Sequence, residues 1–147
     1  MKKKYTVVIV DDHQGVRSGI AGILEGSGAF CVVGQASDGR EALQIVAEHE
    51  PDLLILDVKL PKLEGPDVAR KLTESDMPTA ILALSSYDLP EFVKNMIENG
   101  AQGYLTKDQA PRLLIRASLE ILEDEHKLWI PQELKQQVNL DEELFGH

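Results

Sequence analysis

Three stretches of this chain are apolar at every position instead of at every second one: VVIV at residues 7–10, LLIL at 53–56 and AILAL at 80–84. A strand with one face in water alternates apolar and polar residues, whereas an unbroken apolar run is covered on both faces. Short runs of this kind, set between helical patterns, mark a parallel sheet sandwiched by helices. A chain of 147 residues suits one such domain, since at that size roughly 68–70% of the unfolded surface can be buried.

Strand candidates occupy residues 5–10, 30–34, 53–57, 79–84 and 103–106. Helical spacing fills the gaps between them. The first helix covers 14–24, with Val16, Ile20 and Ile23 on one face. A second opens after Ser37 and Asp38, residue types that cap helix N-termini, and turns Ala42, Leu43, Val46 and Ala47 inward. Pro66 suits the first turn of a third, over 66–72. The fourth, over 90–99, carries Phe92, Val93, Met96 and Ile97 on one stripe and stops at Gly100. The fifth begins near Pro111 and shows Leu114, Ala117 and Ile121. Five strands alternating with five helices predict an α/β fold, a doubly wound five-stranded parallel sheet in the order 2-1-3-4-5. From Leu128 the sequence LWIPQELKQQVNLDEELFGH carries no strand signal and one short helix after Pro131. The expected division is a domain over 1–127 and a helical tail or truncated linker over 128–147.

The polar residues at the strand ends carry the chemistry. Strand 1 runs into Asp11 and Asp12, strand 3 into Asp57 and strand 4 into Ser85, while Lys107 follows strand 5. Parallel strands point one way, so these residues gather at one edge, around the crevice where the winding reverses. Three carboxylates there cannot all stay ionised without a compensating cation. Oxygen ligands with retained water suit Mg²⁺. The arrangement reads as a carboxylate nucleophile beside a hard ion, with Lys107 and the Ser85 hydroxyl to hold a phosphoryl oxygen. Each residue alone has a plainer reading: a solvated turn, a loop cap, a strand-end hydroxyl, a surface lysine. Their joint placement favours the site.

Composition narrows the function further. The formal net charge of −10 opposes binding to a phosphate backbone, which depends on basic patches. Direct nucleic-acid binding by this chain is therefore not expected. One cysteine, Cys31, allows no internal disulfide and suits a reducing, cytoplasmic setting. The basic start precedes an apolar run too short for a signal peptide, and no stretch approaches the roughly 20 apolar residues of a membrane span.

The pieces VVIVDDH, ASDGREAL, LLILDVKLPKLEG, ILALSSYD and NGAQGYLTKD resemble the response-regulator receiver domains of the CheY-like superfamily, over about residues 4 to 126. DDHQGVRSGI and GAQGYLTKD are similar to the NarL/LuxR subgroup in particular. The resemblance implies a flavodoxin-like three-layer sandwich acting in two-component signal transduction. It makes Asp57 the phosphoacceptor, taking its phosphoryl group from a sensor histidine kinase or a small donor such as acetyl phosphate. It assigns Mg²⁺ to Asp12 and Asp57 directly, to Asp11 through water and to the backbone carbonyl of Lys59. Lys107 would neutralise phosphoryl charge, Ser85 would hydrogen-bond the attached group, and Tyr104 would swing inward as Ser85 moves. Read from the residues alone, Tyr104 is a strand aromatic packed on the fourth helix. The implied protein is a signalling switch that catalyses only its own phosphorylation and dephosphorylation. Its output would be transcriptional, through a DNA-binding domain absent from this chain, and homodimerisation on phosphorylation stays open.

Departures from the family pattern are few. Leu60 stands where methionine is more usual, and Asp108 where many receivers have proline, a subgroup trait. His13 is read as a solvated helix-start residue, His49 and His126 as helix-end cations, and His147 as uninformative. Two other classes compete. One is an interaction module that has lost the chemistry, against which the intact set of Asp11, Asp12, Asp57, Ser85 and Lys107 stands. The other is an aspartyl phosphotransferase or phosphatase, which would place an acid two residues after its nucleophile, where this chain has Lys59. A flavodoxin-like cofactor binder is weaker, because no Gly- or Ser/Thr-rich phosphate loop follows strand 1. Lys59 and Tyr87 are bulkier or more charged than is usual near such a site and are expected to obstruct the hydrolytic water. Alanine at either position should then speed phosphate loss from the phosphorylated protein, and unchanged rates in both variants would contradict this.

Overall fold

The computed structural model describes residues 3–124, 128–130 and 135. The elements alternate as expected: β1 (Tyr5–Val10), α1 (Gln14–Gly26), β2 (Phe30–Ala36), α2 (Gly39–His49), β3 (Leu53–Leu56), α3 (Gly65–Glu74), β4 (Ala80–Ser85), α4 (Pro90–Glu98), β5 (Gly103–Thr106) and α5 (Ala110–Glu123). All strand pairs are parallel, in the order β2-β1-β3-β4-β5. The doubly wound topology read from the sequence is the topology of the molecule.

The unbroken apolar runs divide their side chains between two cores. Val8 and Val10 of β1 and Leu54 and Leu56 of β3 pack with α2, α3 and α4. The alternate residues, Val7, Ile9, Leu53 and Ile55, pack with α1 and α5 on the other side. Every one of these positions is at most 1% exposed, so neither face of the central strands tolerates a polar residue. Burying a Val, Leu or Ile side chain is worth about 1.5–3 kcal/mol, and these two layers fix which strand ends meet.

Boundaries differ from the expected ones by a residue or two. β2 continues to Ala36 because Val10 still pairs with it across the sheet. β3 stops at Leu56, which makes Asp57 the first loop residue, although its amide still donates to the Val10 carbonyl at 3.0 Å. Asp38 caps α2 by accepting from the Glu41 amide. Pro66 lies in the first turn of α3, and Gly100, at φ +114°, follows α4. His49 lies in the last turn of α2, as expected. His126, His147 and, apart from Lys135, the short helix after Pro131 lie outside the described residues.

One addition carries no signal in the sequence. Residues 128–130 run beside the outer edge of β5, where Trp129 forms a parallel bridge with Gly103. Trp129 joins the core on the α1/α5 side and Ile130 the core on the α2/α3/α4 side. A stretch held by one bridge is too short to show a period, so its apolar residues gave nothing to read.

The loop carrying Asp57 is closed by Gly65, whose amide donates to the Val58 carbonyl at 2.9 Å. A Cβ at Gly65 would lie 2.3 Å from the Asp57 carbonyl oxygen and 2.9 Å from Val58 Cα. Both obstacles are backbone, so neither can turn aside. Gly65→Ala is expected to lower stability by about 1–3 kcal/mol, measured as a drop in the denaturant midpoint. An unchanged midpoint would show that the loop can yield.

Candidate functional site

Four strand ends meet beyond β1, β3, β4 and β5. Asp11 follows β1 and is 1% exposed, Asp57 follows β3 and is 4% exposed, and Ser85, the last residue of β4, is wholly buried. Lys107 follows β5, and its amide donates to the Ser85 carbonyl at 2.9 Å, tying the last two strand ends together. Asp12 points outward, with its side chain 36% exposed.

Lys107 holds the centre. Its Nζ lies 2.6 Å from Asp11 Oδ2 and 3.1 Å from Asp57 Oδ2, bridging two carboxylates that would otherwise repel each other in a buried setting. Charge-assisted hydrogen bonds of this length are among the strongest in proteins. Burial pulls the Lys107 ammonium down, but the two carboxylates outweigh it and hold its pKa above the usual lysine value. Burial likewise works to raise Asp11. Lys107 and the His13 amide, which donates to Asp11 Oδ1 at 2.8 Å, outweigh it and keep Asp11 below the usual carboxylate range. Asp57 goes the other way: burial first, and the adjacent Asp11 carboxylate with it, push Asp57 up to about 6 against the pull of Lys107.

The other expected residues lie around this centre. Lys59 lies in the same loop as Asp57, with its Nζ 3.7 Å from Glu64 and 5.2 Å from the centre of the Phe92 ring. Tyr87 leans on the same ring, with centroids 5.0 Å apart, and is 43% exposed. Ser85 Oγ accepts from the Tyr87 amide at 3.1 Å. Tyr104 is wholly buried within β5, and its hydroxyl donates to the Tyr87 carbonyl. The backbone of one residue, Tyr87, is thus held by the two expected switch residues, Ser85 at its amide and Tyr104 at its carbonyl. Burial pushes the Tyr104 phenol up to about 12, so it remains a donor.

Two residues gain a role beyond the sequence reading. His13 starts α1 as expected but makes no side-chain cap. Its Nδ1 lies instead 3.2 Å from Asp11 and 3.0 Å from Asp12. Its place directly after the acidic pair was the available signal. Arg17 donates to the Asp11 carbonyl at 2.6 Å, and its Nε donates to Gln35. Arg17 lies one helical turn beyond His13, so the spacing could have pointed to it.

The donor set can be tested for a cation. Asp11, Asp12 and His13 each offer a ligand atom, all within 4.8 Å of one another. Lys107 meets Asp11 and Asp57, two carboxylates against one ammonium, and the more exposed Asp12 lies next to them in the chain. Burial is the larger cause of the upward displacement of Asp57, and the adjacent Asp11 charge adds to it, which marks an acidic cleft short of positive charge. A hard dication with carboxylate ligands and retained water fits it.

The displacement of Asp57 has a direct consequence for stability. A carboxyl whose folded pKa lies above its unfolded value of 3.8 adds stability below that value and loses it as pH rises through about 6. Asparagine cannot ionise, so it escapes that loss. In magnesium-free buffer at about pH 7.5, Asp57→Asn is expected to exceed the wild type in stability by on the order of 2 kcal/mol. The gap should close as pH falls from about 6 towards about 4. Denaturant unfolding of both proteins across that range checks it, and a wild type at least as stable at the upper end contradicts it.

Comparison with known proteins agrees with this geometry. Residues 7–118 match the family model of the response regulator receiver domain. The chain is 36% identical over 118 residues to the transcriptional regulatory protein NarL of Mycobacterium tuberculosis, covering 80% of this chain and 55% of that protein. It is 42% identical over 112 residues to the oxygen regulatory protein NreC of Staphylococcus haemolyticus, covering 76% and 52%. It spans about half the length of the curated relatives it matches. Among solved structures, the receiver domain of the Mycobacterium tuberculosis NarL superposes with a TM-score of 0.81 at 35% identity, covering 84% of this chain and 99% of that one. A LuxR-family two-component regulator from Aurantimonas superposes with a TM-score of 0.85 at 29% identity, covering 92% and 96%. The protein belongs to the response regulator receiver family, on its NarL/LuxR-type branch.

Proposed function

We propose that this chain is a phosphorylation-driven switch in which Asp57 accepts a phosphoryl group from the phosphohistidine of a sensor histidine kinase. The observation that supports this most is the buried Asp57 carboxylate at the sheet edge, bridged by Lys107 to Asp11. An Asp57 oxygen attacks phosphorus in line, the P–N bond breaks, and its electron pair returns to the imidazole nitrogen of the donor. Lys107 turns from the carboxylates to the phosphoryl oxygens and offsets their charge, since such transfer is governed by positioning and electrostatics. Ser85 Oγ, now accepting from the Tyr87 amide, donates to a phosphoryl oxygen once the group is attached.

Mg²⁺ would be held by Asp12 and Asp57 directly, by Asp11 through water and by the Lys59 carbonyl. It supplies charge neutralisation at the phosphoryl oxygens. Phosphorylation shifts the balance between two states of the loop after β4, read out through Tyr104. Reversal is hydrolysis of the acyl phosphate, so the chain carries out only its own phosphorylation and dephosphorylation. We take residues 1–127 as the receiver domain and 128–147 as a helical tail or truncated linker, whose Trp129 and Ile130 pack into the cores of the domain. The output is transcriptional control in the cytoplasm through a DNA-binding domain outside these residues, with homodimerisation accompanying the phosphorylated state. The net charge of −10 leaves DNA contact to that other domain.

Incubation with Mg²⁺ and acetyl phosphate, followed by intact-mass measurement, tests the proposal. Wild type should gain one labile phosphoryl group, and Asp57→Asn none. No gain in wild type would favour an interaction module. Steady phosphate release from unrelated monoesters would favour an enzyme.

A further inference from the structure

Beyond α5 the chain returns along the outer edge of β5 and is fixed there by backbone and side chains together. The Trp129 amide donates to the Gln102 carbonyl at 2.8 Å, and the Trp129 carbonyl accepts from the Tyr104 amide at 3.1 Å. The Trp129 indole N–H donates to the Glu120 carboxylate on α5. Gly103 makes the approach possible: a Cβ there would stand 2.9 Å from the Trp129 carbonyl oxygen and 2.7 Å from Ile121 Cδ1. Trp129 and Ile130 are 9% and 5% exposed, so both side chains are seated rather than draped.

Tyr104 is bonded in two directions. Its hydroxyl reaches the Tyr87 carbonyl in the loop after β4, and its amide holds Trp129. The Tyr87 amide in turn donates to Ser85 Oγ. An unbroken line of hydrogen bonds and covalent bonds therefore runs from Ser85 through Tyr87 and Tyr104 to Trp129. Ile130 shares the same buried cluster as the Tyr104 ring, Met96 and Ala101.

We propose that residues 128–130 form an edge strap whose seating on β5 is set by Tyr104, so that phosphorylation at Asp57 changes how the strap docks. This rests on the phosphoacceptor role given to Asp57 above. When Ser85 Oγ turns towards a phosphoryl oxygen, it gives up the Tyr87 amide, and the loop of residues 86–89 is freed to move. Tyr104, whose hydroxyl is bonded to the Tyr87 carbonyl, then moves with that loop, and its ring shifts against Ile130 in a close-packed core that cannot absorb one displacement without the other. Coupling of this kind is reciprocal, so whatever loosens the strap also loosens the loop. Trp129 and Ile130 are positioning residues, and neither touches the reacting atoms.

Trp129 is the only tryptophan in the chain and reports on the strap directly. The whole chain is treated with Mg²⁺ and acetyl phosphate, phosphoryl occupancy is counted by intact mass, and tryptophan emission is recorded on the same sample. Emission should shift in proportion to occupancy in wild type and stay constant in Asp57→Asn. Tyr104→Phe, which keeps the amide and loses the hydroxyl, should lose most of the shift at equal occupancy. Constant emission in phosphorylated wild type, or an undiminished shift in Tyr104→Phe, overturns the proposal. Amide exchange in the resting protein provides a second arm that needs no phosphoryl group. Tyr104→Phe should speed exchange of the Trp129 amide about fivefold, the worth of one hydrogen bond. Trp129→Phe, which removes the bond to Glu120, should speed exchange of the Tyr87 amide. Unchanged exchange in both variants overturns the strap coupling. A wild type that takes up no phosphoryl group overturns the phosphoacceptor reading, and the exchange arm then decides the coupling by itself.

Discussion

A single ammonium group lets two buried carboxylates share the end of a parallel sheet. Lys107, 2.6 Å from Asp11 and 3.1 Å from Asp57, offsets a repulsion that burial would make severe. The compensation is unequal. Asp11, with the His13 amide also donating to it, is held ionised, while Asp57 is left the least comfortable anion in the site. An acid kept short of partners in this way is the one with most to gain from a new positive group or from chemical modification. The rest of the fold serves that imbalance, because both carboxylates and the lysine are placed by strand ends that cannot shift without exposing apolar surface.

The legibility of this arrangement in the sequence follows from what sets each part. The sheet was readable because VVIV, LLIL and AILAL leave no solvated face, which is a constraint on composition and needs no tertiary knowledge. The strand-end polar residues were readable because parallel topology alone brings Asp11, Asp57, Ser85 and Lys107 to one edge. What could not be read depends on side-chain direction. Tyr87 is clamped through its backbone amide and carbonyl, which have no residue signature. The turn of the His13 ring towards the carboxylates depends on a rotamer, and the seating of Trp129 depends on a space left by Gly103. Strand ends at Leu56 and Ser85 were misplaced by one residue because the apolar period does not mark where a ladder stops.

The residues after α5 were the least legible. Without a strand signal they read as a helical tail or truncated linker, and two apolar side chains among them close the two cores at the β5 edge. An uncovered edge strand offers unpaired amides to any extended chain that meets it. Trp129 satisfies one of these, the amide of Tyr104, from within the molecule.

The division of the strands between two cores has a further consequence. Tyr104, Ile130 and Val58 belong to one side of the sheet, while α1, α5 and Leu105 belong to the other, with the strand backbones and the stretch 128–130 common to both. Side chains on the α1/α5 side that do not hold Trp129 can therefore be exchanged by descent or by design without repacking the layer around Tyr104. A receiver built this way can acquire new neighbours on one flank while the packing around Tyr104 on the other stays as it is.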